Sequence, residues 1–162
     1  GGTVLWTYPT GGPISGSPSI GPHGNIYCGS EDGFLYSLSP DGALRWRRNL
    51  QTPVRSAPAI GALGHIYCVS SGGVLFCFDN EGTPLWSNPF TTSASFTSPA
   101  LDVLENCYVT DATGWLYAIA QDGKLRWKYD TEAPIRAAPS VGPNGVIVVG
   151  NDDGVLFAIG DK

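Results

Sequence analysis

The sequence has no methionine, few charges and no long apolar run. Charged residues make up 14% of the chain, against roughly a quarter in an average globular protein. Lys and Arg number 9 against 14 Asp and Glu, for a net charge of −5 and a pI near 4.7. Clustered cations, which phosphate neutralisation requires, are missing, and a general nucleic-acid binder is excluded on that ground. No apolar stretch approaches the roughly 18 to 20 residues of a membrane-spanning helix, and no basic-then-apolar leader is present. The opening GGTVLW, without an initiator Met, is what a processed or excised piece would show, with Gly1 and Gly2 candidates for residues foreign to the natural chain.

Catalytic spacings are also missing: there is no His-Glu-x-x-His, no Gly-x-Ser-x-Gly and no phosphate loop. The four cysteines form no Cys-x-x-Cys pair, so a zinc site is not expected. Cys28, Cys68, Cys77 and Cys107 each replace a small or branched side chain of a repeated strand-like run, the behaviour of free thiols in a core. His23, in the GPHGN turn, and His65, at the start of a strand-like run, read as solvated loop histidines rather than as metal ligands, because ligands come in convergent sets.

What the chain does have is Gly, Pro and a repeat. Gly 22 and Pro 13 in 162 residues point to many turns and little helix. Trp6, Trp46, Trp86 and Trp127 are 40, 40 and 41 residues apart. After each comes a proline in a small-residue segment: SGSPSI, RSAPAI, FTSPAL and RAAPSV. Then follow two strand-like runs, NIYCG, HIYCV, NCYVT or VIVVG, and FLYSL, VLFCF, WLYAI or VLFAI. These runs are short, rich in β-branched and aromatic residues and bounded by Gly-containing turns, as strands in hairpins are. Continuous apolar runs mean strands buried on both faces. Four such strands repeating at a period near 40 predict an all-β fold, a β-propeller of four-stranded antiparallel blades with four repeats per chain.

The succession of Trp, Ser/Ala-Pro, IYC-GS-DG, LYSL and DG-L-W resembles the pyrroloquinoline quinone (PQQ)-type propeller repeat over residues 3–160. The resemblance implies that Trp6, Trp46, Trp86 and Trp127 are structural, each docking between blades over a glycine of the adjoining blade. Gly42, Gly82 and Gly123 keep the spacing of four to the following Trp that this docking motif has. The segments are one residue short before the Gly, and only Asp79 keeps the acidic position. Such shortened motifs occur in cofactor-free members, so no cofactor is expected here; PQQ with calcium is the alternative. The calcium carboxylate set, Asp base and vicinal Cys-Cys of quinoprotein dehydrogenases have no matching residues, so neither catalytic residues nor metal ligands are assigned. Trp115, outside the series, is expected to pack.

Arg55 and Arg136 share one register position ahead of the innermost strand, where the other repeats carry Ser15 and Phe96. In a propeller that position lies toward the rim of the central channel. The four residues are therefore the candidate ligand-binding rim, where arginines could take a carboxylate or phosphate by bidentate hydrogen bonds. The competing reading has each Arg capping a carbonyl or pairing with an acidic loop residue. Asp32, Asp152 and Asp153, at hairpin tips, read as turn formers.

The chain begins with an outer strand, VLWTY, and ends after three strands of a blade. The blades are expected at about 15–48, 55–88, 96–129 and 136–160 plus 3–8, the first strand completing the last blade in its own chain or in another copy. Residues 1–162 are then a single propeller domain or half of one. The assembly expected is a homodimer closing an eight-bladed ring, with a closed four-bladed monomer as the alternative. A binding or scaffold propeller, a segment of a larger protein, is the function expected. The alternatives are a fragment of a PQQ-dependent quinoprotein dehydrogenase and an interaction propeller resembling that of the outer-membrane assembly lipoproteins. A protein partner or a small anionic ligand is implied, and the resemblance leans toward a periplasmic or extracellular setting.

Overall fold

The computed structural model describes residues 1–89 and 97–160. They form four antiparallel sheets and no helix. Blade one contains β1 (Ser19–Ile20), β2 (Ile26–Gly29), β3 (Phe34–Leu38) and β4 (Leu44–Asn49). Blade two contains β5 (Ala59–Ile60), β6 (Ile66–Val69), β7 (Val74–Phe78) and β8 (Pro84–Pro89). Blade three contains β9 (Ala100–Leu101), β10 (Cys107–Thr110), β11 (Trp115–Ile119) and β12 (Leu125–Asp130). Blade four contains β13 (Ser140–Val141), β14 (Ile147–Gly150) and β15 (Leu156–Ile159). In each sheet the strands pair in chain order, from a two-residue inner strand outward.

The repeated sequence produces a repeated register. Trp46 stands opposite Ser37, Trp86 opposite Cys77 and Trp127 opposite Ala118, each next to a β-bulge one residue on. The bulge increases local twist and tilts the outer strand. The middle strands of blades two and three show the burial that their unbroken apolar runs require: every residue of β6 and β10 is buried. Three cores result, one at each blade junction. Leu35, Trp46, Val54, Ile66 and Phe78 join blades one and two. Tyr67, Leu75, Cys77, Val109 and Ile119 join two and three. Tyr108, Leu116, Ile135, Ile147 and Val149 join three and four. All four cysteines are buried and free, placed in or beside these layers.

The inner strands β1, β5, β9 and β13 lie side by side in that order. Small side chains let them approach and stitch blade to blade. Ser19 Oγ donates to the Pro58 carbonyl at 2.5 Å, and Ser98 Oγ accepts from the Ala57 amide at 2.9 Å.

The fourth blade is not completed within the single chain. Its sheet has three strands, and residues 3–8 are not a strand of it. Trp6 is docked on blade one, its Nε1 donating to the Pro40 carbonyl at 3.0 Å, as Trp46 of blade one is docked on blade two.

Candidate functional site: the two mouths of the blade array

Ser15, Arg55 and Arg136 sit where the chain enters a blade, ahead of the inner strand. One carboxylate gathers two of them. Glu31, at the tip of the β2–β3 hairpin, accepts from Ser15 Oγ at 3.0 Å and from Arg55 Nη2 at 3.1 Å. The hydrogen bonds from Arg55 and Ser15 hold the Glu31 carboxyl below its ordinary range. Arg136 is separate: its Nε donates to Asp152 Oδ2 at 2.7 Å. Sequence register explains the difference. The place of Glu31 is taken in blade two by Ser71 and in blade four by Asp152. Arg55 has no acid at that position in its own blade and reaches back to blade one, whereas Arg136 stays within blade four. The two arginines therefore hold different carboxylates. Phe96 lies outside the described residues.

Asp32, beside Glu31, organises the hairpin tip. It accepts from the Phe34 amide at 3.0 Å and the Tyr36 hydroxyl at 2.6 Å, and it also receives the Gly11 amide at 2.8 Å. The chain entering blade one is thereby tied to the blade's own turn. Asp152 has the arginine as its partner, and its amide donates to the Pro134 carbonyl at 2.8 Å.

The tryptophan series forms latches between blades. Trp6, Trp46 and Trp86 donate through Nε1 to the carbonyls of Pro40, Asn80 and Gln121 at 3.0, 3.0 and 2.8 Å. Their rings cover Gly42, Gly82 and Gly123, where a Cβ would stand 2.5, 2.6 and 2.7 Å from an indole carbon. Trp127 faces Tyr108, with ring centroids 6.0 Å apart. Trp115 packs under the Lys128 ammonium, which stands 4.1 Å from the ring centroid.

The opposite mouth carries a residue that the sequence did not reveal. The turns after the inner strands place a positive-φ glycine at Gly24, Gly64 and Gly145; in blade three that place is Glu105, with φ of 59°. Its side chain is almost wholly buried and reaches into the equivalent turn of blade two. There it accepts from the Leu63 amide at 2.6 Å, contacts His65 Nδ1 at 2.7 Å and accepts from the Tyr67 hydroxyl at 3.2 Å. Gly61 leaves the room it needs, since a Cβ there would run into the carboxyl. His65 is thus not a solvated loop histidine but a half-buried partner of a carboxylate, while His23 is exposed in its turn. The available signal was a non-glycine in a glycine column, one repeat after a His in place of Asn.

This lock fixes two neighbouring turns whose tips are apolar and open: Leu63, Val103 and Leu104 are 70%, 82% and 71% exposed. Beside them runs a groove lined by Ile60, Gly61, Leu101, Asp102, Val141 and Pro143. Among the described residues no three His, Cys, Asp or Glu side chains converge as ligands of one ion. Glu31 and Asp152 at the rim are committed to guanidinium partners, and these residues do not make the carboxylate cage a calcium–quinone pair would need.

A family model described as outer membrane protein assembly factor BamB matches residues 1–114 and 103–161. No curated protein sequence matches the chain. Among solved structures, BamB from Moraxella catarrhalis is 21% identical with a TM-score of 0.74, covering 95% of this chain and 52% of its own. The computationally designed Ika4 protein is 17% identical with a TM-score of 0.87, covering 99% of both chains. The computationally designed Ika8 protein is 18% identical with a TM-score of 0.79, over 91% of this chain and 46% of its own. The chain thus spans about half the length of two of these proteins. With four blades of this repeat along essentially its full length, the chain belongs to the family of outer membrane protein assembly factor BamB.

Proposed function

We propose that this chain is a non-catalytic protein-interaction propeller whose binding face is the mouth carrying Leu63, Val103 and Leu104. The observation that carries the reading is the Glu105 lock. It ties together two neighbouring turns with apolar tips beside an open groove. A partner gains most from burying apolar side chains that are already ordered. The family's name makes outer membrane protein assembly the setting. The assembly proposed is a homodimer, two four-bladed chains sharing one eight-bladed ring. At the opposite rim, an acidic side chain or small anion would enter at Arg55 and Ser15 by exchange with Glu31.

The test is the triple variant L63S/V103S/L104S, immobilised beside the unaltered chain and exposed to a detergent-solubilised outer membrane protein assembly machinery. The unaltered chain is expected to bind and the variant to bind about tenfold or more weakly at an unchanged circular dichroism spectrum. Equal binding by the two would overturn the assignment of the face. A rise of several degrees in melting temperature with PQQ and calcium would favour the quinoprotein reading instead, because a ligand of the native state alone must stabilise it.

A further inference from the structure

Residues 6–13 already occupy the place of an outer strand and its linker. Trp6 docks on Gly42 and Pro40 as Trp46 docks on Gly82 and Asn80. The Tyr8 and Tyr36 rings lie 5.9 Å apart. Pro13 O accepts from the Glu31 amide at 2.9 Å, as Pro53 O accepts from Ser71 and Pro134 O from Asp152, each at 2.8 Å. The segment is thus the outer edge of a blade standing before blade one, whose three inner strands this chain does not place there. Its sequence agrees. Gly2-Thr3-Val4-Leu5-Trp6-Thr7-Tyr8-Pro9 matches Gly82-Thr83-Pro84-Leu85-Trp86-Ser87-Asn88-Pro89, the turn and outer strand of blade two, at Gly, Thr, Leu, Trp and Pro.

The other end of the arc shows the complementary deficit. Leu35, Leu75 and Leu116, at one register position in three blades, are each 0% exposed, covered by the following blade. Leu156, at the same position in blade four, is 74% exposed, and Val4 and Leu5 are 77% and 88% exposed. The chain's own blade one does not cover Leu156. The arc also superposes on 46% of the Ika8 chain and 52% of the Moraxella BamB chain.

Resting on the homodimer reading above, we infer that residues 2–9 of each copy form the fourth strand of the other copy's last blade. The register is that of β8 on β7, in which Val74 faces Pro89, Phe76 faces Ser87 and Cys77 faces Trp86. Pro9 then faces Val155, Thr7 faces Phe157 and Trp6 faces Ala158 of the second copy. Blade one of each copy covers Leu156 of the other. Gly2, where a Cβ meets nothing within 4 Å in the single chain, enters as the fourth docking glycine, the seat for Trp127 of the second copy. Two such junctions close the ring by a two-fold axis and give every blade four strands.

The test uses two single variants, Pro9→Cys and Val155→Cys, at exposed positions that would face each other across the junction. Directly opposed strand residues have Cβ atoms roughly 5 Å apart, within reach of disulfide formation after small adjustment. Mild oxidation of an equimolar mixture should give a disulfide-linked pair, and neither variant alone should. A dimer by mass with no such link overturns strand exchange and leaves the homodimer reading standing. A monomeric mass overturns both, and a link formed within one chain of the double variant shows a closed four-bladed monomer. Gly2→Val should weaken dimerisation about tenfold or more, as a β-branched side chain collides with the indole. Gly1→Val should not, and equal effects of the two would remove Gly2 from the junction.

Discussion

The Trp46 ring covers Gly82 so closely that a Cβ on Gly82 would stand 2.6 Å from Trp46 Cδ2, while the indole Nε1 donates to Asn80 O at 3.0 Å. One blade's outer strand is thereby latched to the next blade's outer turn. The latch recurs 40 residues before and 40 or 41 after because the repeat places Trp and Gly in a fixed register.

Gly82→Ala is expected to cost about 3 kcal/mol or more, since the added methyl meets the ring and the backbone is left-handed. Gly64→Ala shares the positive φ, but its Cβ would meet only Asn80 Cβ, at 3.9 Å. It should cost only about 1 kcal/mol of backbone strain. Urea denaturation of the two variants checks this, and equal losses would mean that the latch adds nothing.

Glu105→Ala should destabilise by about 2 to 4 kcal/mol, because the Leu63 amide and Tyr67 hydroxyl lose a buried charged acceptor. Glu105→Gly removes the same carboxylate but relieves a φ of 59°, and should retain about 1 kcal/mol more stability than the Ala variant. Thermal melts of both decide it; a glycine variant less stable than the alanine one would contradict the strain assigned here.

These two positions show what sequence could and could not disclose. The four-stranded repeat was legible because its strands and turns recur at one period, and the Trp–Gly latches because the resemblance to the PQQ-type repeat implies that each ring docks over a glycine of the adjoining blade. The Glu105 lock occurs once, between turns 40 residues apart, and its residue sits where glycine is expected. Arg55 was legible as a rim residue but its partner was not, because Ser71 replaces the acid of its own blade and Glu31 of the previous blade takes over.

Acid should weaken the fold through the turn carboxylates. Burial opposes ionisation of Asp32, Asp79 and Asp102, but hydrogen bonds to each outweigh it: Tyr36, Phe34, Ser30 and Gly11 for Asp32, Thr83 and Glu81 for Asp79, and Asn106, Leu104 and Tyr108 for Asp102. All three carboxyls are held below their ordinary range. A carboxylate depressed in the folded state gives stability that is full above its unfolded pKa, about 4, and is lost as pH falls through the lower folded value. Denaturation midpoints should therefore hold from pH 7 to about 5 and fall below about 4, with a shallower fall in Asp102→Asn. A midpoint that rises between pH 5 and 3 would refute the assignment.

The four thiols should be silent until the chain unfolds. Burial pushes all four upward, Cys77 to about 12, so little thiolate exists at pH 8. Ellman's reagent should react negligibly with native protein and with four thiols in denaturant without reductant. Rapid native labelling would show the blade junctions to be open, and fewer than four in denaturant would indicate a disulfide.

Whether this chain is half of a ring completed by its own copy is read from static light scattering of the unaltered protein at low micromolar concentration. A particle of twice 17.1 kDa that persists on dilution is expected. A particle of 17.1 kDa at every concentration would contradict it.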